Sequence, residues 1–413
     1  MVTRRPGVAQ DEVRRHNLST LLRAVHETGP LTRAQLTSGM GLNRSTIKDL
    51  VDELAALGAV SEEAPAGGRS RAGRPSLLVR ARPDRVQVLA VDIGVDRVVV
   101  ALVGLGGSVV ARGHRRLPST EPSAVVGVVA RLVRDLLTKG PVGEHVVGVG
   151  VSVPGVVRNH DGCVRFAPNL GWVDEPLGEL LAGALARPVQ IANDADLGVL
   201  AEHRRGAARG YDDVVFIAGE VGVGGGVIVG GRPLVGAGGY AGELGHMRLT
   251  VDGRPCRCGS AGCWETEIGA QAMARALGLA DVGTEELVRA IREAARTGSR
   301  SLDGVARHVG LGLASLVNLL NPRLVILGGV LRELLPVAGD VICAAMTASA
   351  LDAPVQQVTV TAPQLGGDAV LVGAAELAWE QLLVDPVSLL AAGGGGRPPA
   401  PAVLEVGLGS VAG

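Results

Sequence analysis

The sequence predicts an α/β body in two related lobes, preceded by a small basic helical head. Three observations carry that reading. From residue 83 onward, short apolar runs suited to buried strands alternate with stretches of helical periodicity. Two units, each a strand followed by a glycine-marked hairpin, recur about 125 residues apart. The charge is also divided. Residues 1–80 carry 12 Lys/Arg against 8 Asp/Glu, a surplus of +4, whereas the remainder carries 28 against 33, a balance of −5. A basic head on an acidic body points to a polyanion as the partner of the head.

Composition sets the bounds. Of 413 residues, 47% are hydrophobic, ample for real cores, but aromatics are 2%, so Val, Leu and Ala must fill them. No apolar run approaches the roughly 20 residues needed to span a membrane. The first residues have no apolar stretch of the secretory kind. Five cysteines, three of them within eight residues, do not make a disulfide framework. A reducing, cytoplasmic setting without a membrane is expected.

The head reads in order. Leu18, Leu21, Leu22 and Val25 follow helical spacing up to Gly29-Pro30. Thr32 and Gln35 form a capping-box pattern that opens a short second helix. Gly39-Met40-Gly41 predicts a tight turn. Asn43 suits the N-cap of a third helix with core positions Ile47, Leu50, Val51, Leu54 and Leu57, and Gly58 suits its end. Helix, short helix, glycine turn and helix make a helix-turn-helix. Residues 67–80 are expected to follow as a two-stranded wing. In this geometry the third helix enters the major groove by its first turn. Arg44, Ser45, Thr46 and Lys48 lie there, all donors suited to bases or phosphates. Arg74, at the tip of the wing, is placed to enter the minor groove.

In the body, residues 86–92, 97–102 and 108–112 read as strands, with Gly106-Gly107 as the hairpin turn. A helix over 122–137 and a strand over 146–153 follow. The second unit has strands over 214–218 and 227–229 around the run Gly222 to Gly226. Then come helices over 284–297 and 301–320, a strand over 324–327, a helix near 334–350, a strand over 358–361 and a helix over 368–383. Glycine runs after strands can cradle phosphates through backbone N–H groups. Asp194, at a strand end, is either a general base toward a hydroxyl or, with Asn193, the cap of the next helix.

The densest chemistry lies in residues 246–265, HMRLTVDGRPCRCGSAGCWE. Cys256, Cys258 and Cys263 fall within eight residues, with His246 upstream. Three thiolates and an imidazole fill a closed tetrahedral zinc site, which leaves no position for a reacting water and makes the metal structural. Gly253, Gly259 and Gly262 let the backbone turn tightly enough for the ligands to converge. Glu243 and Glu265 flank the loop, so a metal that pins it also pins both carboxylates.

Taken in order, these motifs resemble the ROK family (repressors, open reading frames, kinases) over roughly residues 10–385. The resemblance rests on the winged helix, Asp92-Ile93-Gly94, Pro154-Gly155 and the run Ala167-Pro168-Asn169-Leu170-Gly171-Trp172. It continues through Asn193-Asp194-Ala195, Gly242-Glu243-Leu244-Gly245-His246, the cysteine triplet with Glu265, and Asn321-Pro322 leading to Gly328-Gly329. It implies a two-lobed actin-like ATPase body (hexokinase-type, ribonuclease H-like) behind a winged helix-turn-helix. It also implies a hexose in the cleft, held by Asn169, Asn193, Asp194, Glu243, His246 and Glu265. Amides and carboxylates in pairs suit a polyol, because each takes one or two hydroxyls. In kinase members Asp194 is the base.

The departures from the kinase pattern are as telling. Kinases of the family read Asp-x-Gly-Gly-Thr-Lys in the first phosphate loop, whereas this chain reads Asp92-Ile93-Gly94-Val95-Asp96-Arg97. In the second loop Val221 replaces a threonine and Glu220 precedes it. The loops around Asp92, Gly94, Gly222 and Gly224 therefore read as vestigial, since added carboxylates repel a nucleotide. No catalytic residue is expected. The organisation expected is a DNA-binding head over 1–82, lobes over 83–200 and 201–385, and a disordered Gly/Pro-rich tail over 386–413. The last helix is expected to pack back on the first lobe. The expected function is a sugar-responsive repressor, homodimeric or homotetrameric, with operator DNA, a sugar effector and structural zinc as partners. A hexose kinase with a regulatory head is the rival.

Overall fold

The computed structural model describes residues 6–64, 76–280 and 282–391. The head comprises α1 (Pro6–Thr28), β1 (Leu31–Thr32), α2 (Arg33–Met40), α3 (Arg44–Ala56), β2 (Val60–Glu63) and β3 (Leu78–Ala81). The caps form as the local chemistry dictates. Thr32 and Gln35 bond reciprocally, and Asn43 accepts from the Thr46 amide at 2.8 Å. Strand β3 pairs antiparallel with both β1 and β2. Two local expectations shift. Gly39 lies inside α2 and the turn falls at Gly41, φ +64°. The first wing strand is 60–63, ahead of the span 67–80, because Val60 must stay buried beside β3. Arg74 lies outside the described residues.

The first lobe contains β4 (Val86–Ile93), β5 (Arg97–Gly104), β6 (Val109–Arg116), α4 (Pro122–Lys139), β7 (His145–Val153), β8 (Val156–Arg158), β9 (Cys163–Ala167), β10 (Trp172–Glu175), α5 (Leu177–Leu185) and β11 (Val189–Asn193). Helix α6 (Asp194–Arg205) leads to the second lobe. That lobe holds β12 (Val214–Gly219), β13 (Val223–Val229), β14 (Arg232–Pro233), α7 (Glu265–Ile268), α8 (Ala270–Ala276), α9 (Thr284–Thr297), α10 (Asp303–Leu320), β15 (Leu324–Gly329), α11 (Leu335–Ser349), α12 (Asp352–Val355) and β16 (Thr359–Thr361). Helices α13 (Ala369–Val384) and α14 (Pro386–Ala391) close the described chain.

The two main sheets share one topology. Their orders are β11-β7-β4-β5-β6 and β14-β13-β12-β15-β16. In each, the first strand of the lobe pairs antiparallel with its hairpin partner on one side and parallel with a later strand on the other. The small sheet β10-β9-β8 projects from the first lobe. Its strands went unrecognised in the sequence because they are short and half exposed.

Two further expectations are corrected. The glycine run Gly222–Gly226 is not a phosphate-cradling loop throughout, since Val223–Val229 is strand β13. Its glycines serve packing: a Cβ on Gly226 would lie 2.5 Å from the Ala195 carbonyl oxygen on α6. Residues 386–391, expected in a disordered tail, form α14 with Leu390 buried.

Leu18, Leu21, Leu22 and Val25 of α1 share one apolar core with Val88 and Ala90 of β4 and Trp379, Leu382 and Leu383 of α13. The head is thus built into the first lobe. Among the described residues, no helix is long and apolar enough to cross a membrane.

Candidate functional site

The residues expected to hold a sugar come from both lobes. Strand β11 ends at Asn193, whose amide caps α6 by accepting from Ala195 N at 2.8 Å and donates to the Gly155 carbonyl at 2.8 Å. Asp194 opens α6 and accepts from the same Ala195 amide at 2.8 Å. The capping reading of this pair therefore holds, and it leaves the other carboxylate oxygen free of that bond. From the second lobe, Gly224 approaches so closely that a Cβ there would sit 2.9 Å from Ala195 and 3.6 Å from Asp194 Oδ1. A small hollow lies here, lined by Asn193, Asp196, Gly224, Gly242 and Glu243 among others.

Asp196 was not singled out from the sequence. Burial, then Glu243, pushes its carboxyl up to about 7. Its signal was spacing alone: it lies on the first turn of α6, two residues after Asp194. Asp194 itself is pushed up to about 8 by burial, then by Glu220 and Asp92. Glu220 is raised by burial, then Asp92, with Asp96 adding to the effect and Arg97 opposing it. The two loops expected to be vestigial thus converge on Asp194 and bring carboxylates with them. Gly94 N donates to Arg97 O at 2.9 Å in the first loop, and Glu220 N donates to Gly222 O at 2.8 Å in the second.

The loop 246–263 draws four ligand groups together. One ligand atom from each of His246, Cys256, Cys258 and Cys263 lies within 4.8 Å of all the others. With metal–sulfur bonds of about 2.3 Å, a tetrahedron has S···S edges of roughly 3.8 Å. Cys258 Sγ and Cys263 Sγ are 3.7 Å apart, and Cys256 Sγ is 3.7 Å from His246 Nδ1. The backbone explains the convergence. Gly259 and Gly262 have φ of +90° and +74°, and a Cβ on Gly253 would fall 2.4 Å from Gly262 Cα. The cluster can therefore hold a tetrahedral metal ion.

Both flanking glutamates contact this loop. Glu243 Oε2 is 3.9 Å from His246 Nε2. Glu265 Oε1 accepts from Cys256 Sγ at 2.8 Å, and its Oε2 accepts from Val223 N at 3.3 Å. Glu265 thereby ties the metal loop to β13. Asn169 lies between β9 and β10 and, like Asp194, His246 and Glu265, is not among the residues that line the hollow. Its Oδ1 accepts from Arg257 Nη1, which lies between two of the cysteines, so the two elements meet across the cleft. That contact has no local signature, because the partners are 88 residues apart.

On the head, Arg44 and Ser45 are exposed at the first turn of α3, and Ser45 Oγ donates to the Asn43 side chain at 2.7 Å. Thr46 is half-buried. Lys48 is exposed but pairs with Asp52 at 2.5 Å.

Two lobes of one sheet topology around a cleft, with acidic and amide side chains at the strand ends, define an actin-like ATPase-type body. The ROK family model matches residues 88–381, and the chain belongs to the ROK family. The xylose repressor of Bacillus subtilis is 28% identical over 321 residues, covering 77% of this chain and 83% of its own length. The glucokinase of Streptomyces coelicolor is 34% identical over 327 residues, covering 72% of this chain and 98% of its own. A solved ROK family transcriptional regulator, described as a homologue of the E. coli MLC protein, superposes with a TM-score of 0.75 over 92% of this chain and 98% of its own, at 24% identity. The last comparison establishes the fold.

Proposed function

We propose that this chain is a DNA-binding repressor whose affinity for its operator is set by a sugar in the interlobe cleft. The observation that carries the reading is the head itself. A helix-turn-helix is fused, through one apolar core, to the lobe whose sheet ends at Asn193 and Asp194. The similarity to a xylose repressor supports it.

Asn193, Asp194, Asp196 and Glu243 offer the sugar both donors and acceptors, as a polyol requires. Arg44 and Ser45 are the side chains best placed for base edges or phosphates. A homodimer suits this role, because paired heads read half-sites at a fixed spacing. The sugar changes DNA affinity only through a difference in its own affinity for the two arrangements of the lobes. A coupling of about 1–3 kcal/mol is enough to make a usable switch.

The metal in this reading is zinc, held by His246, Cys256, Cys258 and Cys263. Zinc supplies a rigid cross-link there, and Glu243 and Glu265 take their positions from the loop that it pins. Elemental analysis of freshly purified protein should find one zinc per chain. Cys258→Ser should drop it below about half an equivalent and weaken sugar binding as well. A fully loaded Cys258→Ser variant contradicts the ligand set.

The second reading, a hexose kinase, is favoured by Asp194. A cleft carboxyl titrating near 8 suits a general base. Against it stand Asp96 and Glu220 beside the place a nucleotide's phosphates would occupy. A thermal-shift screen with neutral, N-acetylated and phosphorylated sugars tests the shared premise that the cleft takes a sugar. ATP-dependent phosphorylation of any hit then separates the readings.

A further inference from the structure

One helix touches both the cleft and the head. Helix α6 has 12 residues, about 18 Å at a rise of 1.5 Å per residue. Its N-terminal turn carries Asp194 and Asp196 behind the cap Asn193. Its last turn carries Arg204 and Arg205, which run into a cluster at the base of the head. Arg205 Nε donates to Glu376 Oε1 at 2.5 Å, and its Nη1 donates to the carbonyls of His26 at 3.3 Å and Gly106 at 3.0 Å. Arg204 Nη2 donates to Glu380 Oε1 at 3.0 Å, and Arg204 also pairs with Glu27. His26 and Glu27 lie in the last turn of α1, the helix against which α3 packs.

The cluster is built rather than incidental. His26 is fully buried and Glu376 nearly so. His26 Nδ1 accepts from Gly106 N at 3.0 Å, and its Nε2 lies 3.2 Å from Glu376 Oε2 and 2.6 Å from Arg205 Nη2. Arg23 of α1 adds a further bond to Glu380 at 3.2 Å. The buried polar atoms of His26 and Glu376 thus find partners on α1, α6, α13 and the β5–β6 turn. Burying them without those partners would be costly. A displacement of α6 cannot be absorbed locally without breaking such bonds.

The middle of α6 gives a displacement no slack. A Cβ on Gly373 of α13 would lie 2.0 Å from the Leu197 carbonyl oxygen, and one on Gly226 of β13 would lie 2.5 Å from that of Ala195. Gly198 faces the Phe216 ring of β12 at 2.6 Å by the same measure. Close-packed contacts on both flanks make α6 move with the lobes as a rod.

We propose that α6 is the relay between effector and DNA: Arg204 and Arg205 are positioning residues that convert the placement of Asn193, Asp194 and Asp196 into the tilt of α1, and so of α3. The inference rests on the regulator reading above. It assigns a role to the cluster of His26, Glu27, Glu376 and Glu380, which neither the cleft nor the DNA surface requires. A helix held at both ends transmits a shift at its first turn to its last, and the heads of a dimer then lose the spacing of their half-sites.

The test uses the full chain, with D-xylose and D-glucose as sugar probes and a duplex selected by the wild-type chain from random-sequence DNA. Arg204→Met and Glu27→Gln cut the outer pair and leave the buried Arg205–Glu376–His26 core in place. Both variants should keep sugar affinity and DNA affinity within about twofold of wild type. The factor by which sugar lowers DNA affinity should fall at least fivefold. Hydrogen exchange gives an independent reading. In wild type, sugar should change exchange in α6 and in the last turns of α1, and in the variants the change should stop at α6. Variants that respond to sugar as wild type does overturn the relay and leave the regulator reading standing. A wild-type chain whose DNA affinity ignores both sugars overturns both.

Discussion

Burial and the neighbouring carboxylates push the Asp194 carboxyl well above its ordinary range, and this has a measurable cost. Its folded pKa of about 8 stands above the ordinary carboxyl value. Between those values the folded chain binds a proton that the unfolded chain releases, so stability falls as pH rises from about 4 to 8. Asp194→Asn removes the titration. The melting temperature of the ligand-free variant should gain on wild type as pH goes from 5 to 8, while its sugar affinity weakens by about 1–3 kcal/mol. Parallel pH profiles for the two proteins would contradict the assignment. Arg257 makes a second case. It is exposed and holds Asn169 Oδ1 across the cleft, so Arg257→Ala should leave the melting temperature unchanged. It should also weaken sugar binding, by about 0.5–1.5 kcal/mol in a titration calorimeter, as the Asn169 amide loses its fixed orientation. What was legible at this scale follows from range. Four candidate metal ligands within 18 residues announce themselves by spacing. Arg257 and Asn169 meet only because two lobes fold face to face, and no local pattern records that.

Among the elements, α3 shows how neighbours refine a reading made from residue type. Arg44, Ser45, Thr46 and Lys48 are all donors by chemistry, but Lys48 already serves Asp52 one turn along the helix. Arg44 has no ion pair described. Arg44→Ala should therefore weaken DNA binding more than Lys48→Ala does. If Arg44 meets a phosphate, the log–log salt dependence should also flatten by about one unit. Equal effects in salt-titrated fluorescence anisotropy would show that the Lys48–Asp52 pair opens on DNA at no cost. The N-caps of α2 and α3, the amphipathic helices and the buried strands of both main sheets are readable, because each writes its own period or cap into consecutive residues. The glycine run 222–226 reads as loop because glycine marks two different needs, a turn and a close approach. Gly224 and Gly226 answer the second, against Ala195 of α6. Strands β8 to β10 left too few residues for a period to show, and α14 was lost to the Gly/Pro-rich composition that follows it.

At the scale of the whole molecule, repetition within the body made the fold legible. Two strand-hairpin units 125 residues or so apart predicted two lobes, and both sheets have one strand order. The union of head and body was not legible, since Leu18, Leu22 and Val25 read equally well as the core of a free-standing domain. They belong to one core that joins α3 of the head to Trp379 and Leu382, more than 350 residues away along the chain. That union makes the head part of the first lobe and gives the cleft a path to DNA. The most direct test of the account measures DNA affinity and ATP consumption in one preparation of the full chain, with and without a sugar found to bind it. The account predicts that sugar weakens DNA binding at least fivefold while no sugar-dependent ATP consumption occurs. Sugar-dependent ATP consumption, lost in Asp194→Asn and accompanied by unchanged DNA affinity, would contradict it and make the chain a kinase.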